Sequence, residues 1–104
     1  MPKLVKLIES GESSIWRGNI FRVRGIYPYE DIVDFMVFET QQDDRPYGLL
    51  VSSGYKAGLI LVRLPEESCS ADGGLDKKWI IENWEKWIYP DCALSEVYLI
   101  DRYQ

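Results

Sequence analysis

The sequence predicts an α+β domain, a mainly antiparallel β-sheet with one amphipathic helix at about residues 76–88 packed on one face and a final strand after it. Three observations predict it. Segments rich in β-branched and aromatic residues recur as far as residue 64, with turn residues between them. Residues 73–92, GGLDKKWIIENWEKWIYPDC, then change to a helical period. A short alternating segment follows at 95–101. Strands, then one helix, then a strand is the order of an α+β fold.

Taken in order, residues 3–8 (KLVKLI) read as a short strand or one helical turn, and residues 11–14 (GESS) as a turn. Residues 15–27 alternate best in their second half, with Phe21 and Val23 on one side and Arg22 and Arg24 on the other. Gly18-Asn19 breaks this stretch into two strands, and Pro28 ends it. Residues 29–34 (YEDIVD) fit a helical turn or a loop. Residues 35–40 (FMVFET) read as a strand, 41–46 (QQDDRP) as a polar connection, and 47–53 with 58–64 as a β-hairpin about a turn at 54–57. The continuous apolar runs in these strands suggest cover on both faces. Residues 65–74 form a polar loop into the helix.

The helix carries three of the four tryptophans. Asp76 is placed to cap its free N–H groups, Leu75 and Ile80 have hydrophobic-staple spacing, and Pro90 stops it near Ile88. At about 100° per residue Ile80, Ile81, Trp84, Trp87 and Ile88 share one side, and Lys78, Glu82, Glu85 and Lys86 the other. Trp84 and Trp87 therefore read as core. Trp79 falls off the stripe; either the preceding loop covers it or it is exposed for binding.

A chain of 104 residues with 46% hydrophobic content reads as a single domain, 1–104, able to bury its own core. Its apolar runs are far below the length of a membrane span, and its first residues lack the apolar region of a signal peptide, so a cytoplasmic protein is expected. The net charge of −5 argues against direct nucleic-acid binding or an anionic membrane and favours a neutral or basic partner. The absence of histidine excludes Ser-His-Asp and Cys-His catalysis. Cys69 and Cys92 match no zinc spacing and are expected to be reduced. The glycine-rich spots at 54–58 and 73–74 lack the pattern of a phosphate loop. No metal or cofactor site emerges.

Acidic residues cluster at Glu30-Asp31, Asp43-Asp44 and Glu66-Glu67, with Asp72 nearby, and Tyr29, Tyr47 and Tyr55 lie beside these loops. Paired carboxylates can serve acid–base chemistry or hold Mg²⁺, but in polar loops they are ordinarily solvated. As contacts for a basic partner, flanked by aromatics of the kind that interfaces favour, they carry more weight.

Four segments resemble the immunity protein 45 family: SIWRGNIFR (14–22), YPYEDIVDFM (27–36), GYKAGLI (54–60) and the tryptophan pattern ending at Tyr89. Gly11-Glu12-Ser13-Ser14 fits the family's G-x-x-S motif, and Trp16 or a helix tryptophan its characteristic tryptophan. The resemblance implies an α+β bacterial immunity protein of a polymorphic-toxin or contact-dependent-inhibition system. Such a protein has no catalytic activity of its own. It would bind the C-terminal domain of a cognate toxin 1:1 and block its active site. A nuclease such as an RNase, with its basic cleft, would suit an acidic inhibitor. The expected contacts are Glu30, Asp31, Asp43, Asp44, Tyr47, Tyr55, Glu66, Glu67, Asp72 and Trp79. The competing reading is a small ligand-binding or regulatory module with tryptophans lining a pocket.

Overall fold

The structure, a computed structural model, describes residues 4–11, 13–27, 29–42 and 44–102. Lys3, Glu12, Pro28 and Asp43, which figure in the sequence reading, lie outside the described residues. Among the described residues eight strands occur: β1 (Val5–Lys6), β2 (Ser14–Ile15), β3 (Ile20–Arg24), β4 (Ile32–Gln42), β5 (Arg45–Val51), β6 (Ile60–Leu64), β7 (Leu75–Asp76) and β8 (Tyr98–Ile100). Six form an antiparallel sheet in the order β1-β8-β3-β4-β5-β6, and β2 pairs with β7 in a two-stranded sheet. The helix α1 (Lys77–Asn83) continues as a wider π turn over Trp84–Ile88. The fold is α+β, as expected, with a final strand that lands between β1 and β3.

Alternation along the strands sorts the side chains into two faces. Phe21 lies opposite Phe35 and Leu99, Phe35 opposite Val51, Val37 opposite Leu49, and Leu49 opposite Val62. This face carries the core. The other face presents the row Ile100–Ile20–Met36–Leu50–Ile60 and the row Tyr98–Arg22–Asp34. Gly48 lies there opposite Phe38; a Cβ on it would meet the Phe38 ring at 2.7 Å and the Val62 carbonyl oxygen at 2.8 Å, so only glycine lets that ring lie flat on the sheet.

Several local expectations change. The first segment is both of its alternatives in succession: β1, then a 3-10 turn over Leu7–Glu9. Residues 32–34, read as a helical turn or loop, belong to β4, because Asp34 is paired across to Arg22 on β3. The polar connection at 41–46 shrinks, since β4 runs to Gln42 and β5 starts at Arg45. Backbone pairing in a long hairpin overrides the polar composition there. The strand expected at 95–101 narrows to β8, preceded by a 3-10 turn over Leu94–Glu96. The expected cover on both faces holds only unevenly: on the face away from the helix Ile20 and Ile100 are fully buried, Met36 and Leu50 are half-buried, and Ile60 is exposed. Leu7, Ile80, Trp84, Ile88 and Leu94 all pack into the core on one side of the sheet.

The helix starts where the sequence placed it. Asp76 accepts a hydrogen bond from the Lys78 N–H at 3.2 Å, and Leu75 and Ile80 are both fully buried. Its second half departs from ideal geometry: the Tyr89 N–H donates to the Trp84 carbonyl, an i→i+5 bond, and the Asn83 side-chain amide Nδ2 donates to the Trp79 carbonyl at 2.9 Å. A π turn advances less per residue than an α turn. Buried positions accordingly recur every four residues, at Ile80, Trp84 and Ile88, and Trp79 is brought onto the same flank as Trp87. Their rings lie 5.9 Å apart, and the Arg45 guanidinium sits 5.5 Å over Trp87. Trp79 is thus half-covered, by Trp87 as well as by the core. Trp87, expected in the core with Trp84, is only half-buried at the margin. Trp84 is buried, its ring 5.4 Å from Phe21 in an edge-on contact.

The two tryptophans should therefore separate in urea denaturation. Replacing Trp84 by Ala lowers stability by about 3–5 kcal/mol, the range for a fully buried large aromatic. Replacing Trp87 by Ala, which leaves no enclosed cavity, lowers it by clearly less. Equal losses would contradict the burial difference.

Candidate functional site

The sheet has two ends, and the expected contact residues divide between them. One end gathers the β4–β5 turn, the 3-10 turn over Glu66–Ser68 and the loop into the helix. Asp44, Glu66, Glu67 and Asp72 are exposed here. Tyr47 is half-buried, and its hydroxyl accepts the Gly74 N–H at 3.2 Å. The Trp16 ring, 47% exposed, lies over Gly73 and Gly74. Trp79, another expected contact residue, is half-buried against Trp87 and the core. Ser14, last residue of the G-x-x-S motif, is buried opposite Asp76 in the β2–β7 pair and bonds the Ser70 hydroxyl at 3.2 Å. The Lys77 N–H donates to the Ser13 carbonyl at 3.1 Å, and the Lys77 ammonium donates to the Ser10 carbonyl. The motif is therefore a clasp: it fastens the N-terminal segment to the helix start and holds the acidic loop and Trp16 in place. Asp43 lies outside the described residues.

The opposite end holds Glu30, Asp31 and Tyr55. Tyr55 is 77% exposed, and Asp31 is exposed at the start of β4. Glu30 is turned inward. Its carboxylate accepts the Tyr55 N–H at 3.4 Å and lies so close to Gly54 that a Cβ there would come within 2.0 Å of it. With φ at +70°, Gly54 meets a second demand that a side chain opposes. Glu30 thus ties the β3–β4 loop to the β5–β6 loop. A second tie comes from the helix: the Tyr89 hydroxyl accepts the Ile26 N–H at 3.2 Å, while Tyr29, Phe35 and Tyr89 meet edge-on at 5.5–6.2 Å. Burial raises the Tyr89 phenol above its ordinary pKa, so it is neutral at physiological pH.

The sequence reading missed Tyr27, 94% exposed beside Ile26 in this loop, and Ile32, Leu59 and Ile60 close by. Isolated apolar letters near Pro28 or inside strands carry no exposure signal; only the register shows that Ile32 and Ile60 point away from the core.

An open cleft of about 950 Å³ lies beside β3, with Lys6, Arg22, Arg24, Asp31, Glu96 and Tyr98 among its lining residues. No tryptophan lines it, so it is not the pocket of the ligand-binding reading. Both cysteines are free thiols. Burial raises the Cys69 thiol pKa; a hydrogen bond with Ser68 opposes the shift and the Glu66 charge adds to it. No helix among the described residues is long and apolar enough to cross a membrane.

Comparison with known families gives the decisive observation: the model of immunity protein 45 matches residues 7–99. The chain belongs to the immunity protein 45 family. The match spans the G-x-x-S motif, the whole of the helix and all of the sheet except β1 at one edge and the last residue of β8. Searches of curated proteins and of solved structures returned no match.

Two outcomes follow from this geometry. Gly54→Ala should unfold at lower urea concentration than the wild type and lose amide protection across 52–59, because it displaces Glu30; unchanged hydrogen exchange would show that the carboxylate does not hold the turn. The Cys69 thiol should react with iodoacetamide more slowly than free cysteine at pH 8. Its rate should rise only at pH above the ionisation of an ordinary thiol, since a raised pKa leaves less thiolate at any given pH.

Proposed function

We propose that this immunity-family protein acts by binding the C-terminal domain of one cognate toxin in a 1:1 complex and blocking its active site. It has no catalytic role of its own. The family membership over residues 7–99 carries this reading. The working compartment is the cytoplasm of the toxin-producing cell and its siblings, and the system is of the polymorphic-toxin or contact-dependent-inhibition type.

The toxin is a nuclease in this proposal. A nuclease cleft must hold phosphates and is therefore basic. The exposed carboxylates of Asp44, Glu66, Glu67 and Asp72 around Trp16 offer the complementary charge, on a chain whose net charge is −5. Exposed charges of this kind speed encounter and orient the partner more than they deepen affinity.

Co-expression with the toxin domain encoded in the adjacent reading frame should rescue cell growth; failure to rescue would sink the proposal. In kinetic binding measurements the association rate should fall as salt rises through the physiological range, because the charges are screened over about 8–10 Å. Reversing Glu66 and Glu67 to Lys should slow association further and flatten its salt dependence. A salt-independent rate would remove the nuclease part of the proposal while leaving the immunity part intact.

A further inference from the structure

The open face of the sheet is unlike the rest of this acidic protein. On it the row Met36–Leu50–Ile60 crosses three strands, with Ile32 at the start of β4 and Phe38 lying over Gly48. Ile32 is 59% exposed and Ile60 50%. The loops bordering this face at its Ile32 end add Ile26, Tyr27, Tyr55 and Leu59, all more than half exposed. Six of the nine exposed large hydrophobic side chains among the described residues thus lie on or beside one region. Monomeric proteins seldom leave such residues contiguous without a use for them.

At its strand positions the charges on this face have the opposite sign to the molecule, while the cleft beside β3 brings Asp31, Asp91 and Glu96 to its border. Its strand positions carry Lys6, Arg22, Arg24 and Arg63 against one carboxylate, Asp34. Asp34 is 2% exposed and already held by Arg22 through two hydrogen bonds, at 2.8 and 3.0 Å, so that pair is neutral. Arg24 and Arg63 are exposed and form no ion pair among the described residues. An apolar centre flanked by Arg24 and Arg63, exposed arginines without ion-pair partners among the described residues, fits a protein surface that is apolar and edged with carboxylates. A second copy of the same face fits poorly, since it would bring Arg24 and Arg63 against their own kind. Nucleic acid fits poorly too, since the centre is mainly aliphatic rather than a stacking platform.

We infer that this face, with Tyr27 and Tyr55 at its border, is the surface that anchors the toxin domain, and that the matching toxin surface is apolar with a carboxylate rim. This rests on the immunity reading above and assigns the holding role to the opposite end of the sheet from the acidic loops. The two loops are preorganised for it by Glu30 and the Tyr89 hydroxyl. Anchoring residues govern dissociation, whereas steering charges govern association. Tyrosines and arginines are the side chains most often found in the anchoring role.

Surface plasmon resonance with the toxin domain from the adjacent reading frame tests the assignment, using three double variants: Tyr27→Ala/Tyr55→Ala, Ile32→Asp/Ile60→Asp and Arg24→Glu/Arg63→Glu. Each should raise the dissociation rate on the order of 30-fold or more, with an unaltered circular dichroism spectrum. The arginine variant changes only exposed side chains and keeps the test decisive if the isoleucine variant does not fold. In hydrogen exchange on the wild-type complex, amides of residues 26–36 and 54–60 should gain protection. Folded variants with unchanged dissociation, and no gain in protection, would overturn the assignment while leaving the immunity function standing. A wild type that does not bind the toxin at all would overturn both. Concentration-dependent self-association that Ile32→Asp/Ile60→Asp abolishes would give the face to a second copy instead, as would tight binding of a single-stranded RNA oligonucleotide give it to nucleic acid.

Discussion

The contact between Trp84 and Phe21 holds the rest of the structure together. One ring comes from the only α-helix among the described residues, the other from a central strand, and they meet edge-on inside the core. Without a helix on that face, Phe35, Val37, Leu49 and Val51 would lie open to water. Burial of apolar surface on this scale is the main favourable term available to a chain of this length without disulfides. The π turn is the local adjustment that makes the seat work. It keeps Ile80, Trp84 and Ile88 in register with the sheet and sets Trp79 beside Trp87 at the margin. The Trp84 indole Nε1 has no hydrogen-bond partner among the described residues. The ring is therefore held by packing rather than by a polar contact, and its donor is a cost that the apolar burial offsets.

From this seat both candidate surfaces are positioned by short chains of contacts. At the helix start, the G-x-x-S segment clasps Asp76 and Lys77, and the acidic loop and Trp16 are organised around that clasp. At the helix end, Tyr89 reaches under the β3–β4 loop, which Glu30 joins to the β5–β6 loop. The helix thus orients opposite ends of one small sheet. In an inhibitor of this size such rigidity matters, because loops ordered only on binding would subtract from affinity. The exposed Arg17–Glu39 pair, by contrast, is 4.0 Å apart and screened, and adds little to this frame.

Much of the architecture was legible because it depends on local rules. Asp76 caps the helix for reasons contained in its own carboxylate; Gly18-Asn19 breaks a strand because no strand continues easily through a glycine at φ +89°. The alternation of Phe21 and Val23 with Arg22 and Arg24 is visible in the letters and survives in the register. Errors fell where pairing partners decide. Residues 32–34 and 41–42 became strand because β3 and β5 lie alongside them, and Trp87 left the core because the helix widened at Trp84. The acidic loops could be found from composition, and most of them do gather at one end. Which of their carboxylates face solvent could not, and Glu30 is the example: it reads as a free charge and serves as a tie between loops.

By itself the sequence determined the fold class, the helix with its cap, the core side of the central strands, the acidic character and the family. These follow from periodicity, from residue chemistry and from motifs that are contiguous in the chain. Only the tertiary structure decided which apolar side chains remain uncovered. Ile32 and Ile60 are ordinary strand residues in the letters, and strands with apolar residues on both sides ordinarily lie between two layers. One helix can cover one face. The second face, with Arg24 and Arg63 at its rim, is left open at the end that holds Ile32 and Ile60, while Ile20 and Ile100 farther along it are buried, and no local pattern records that division.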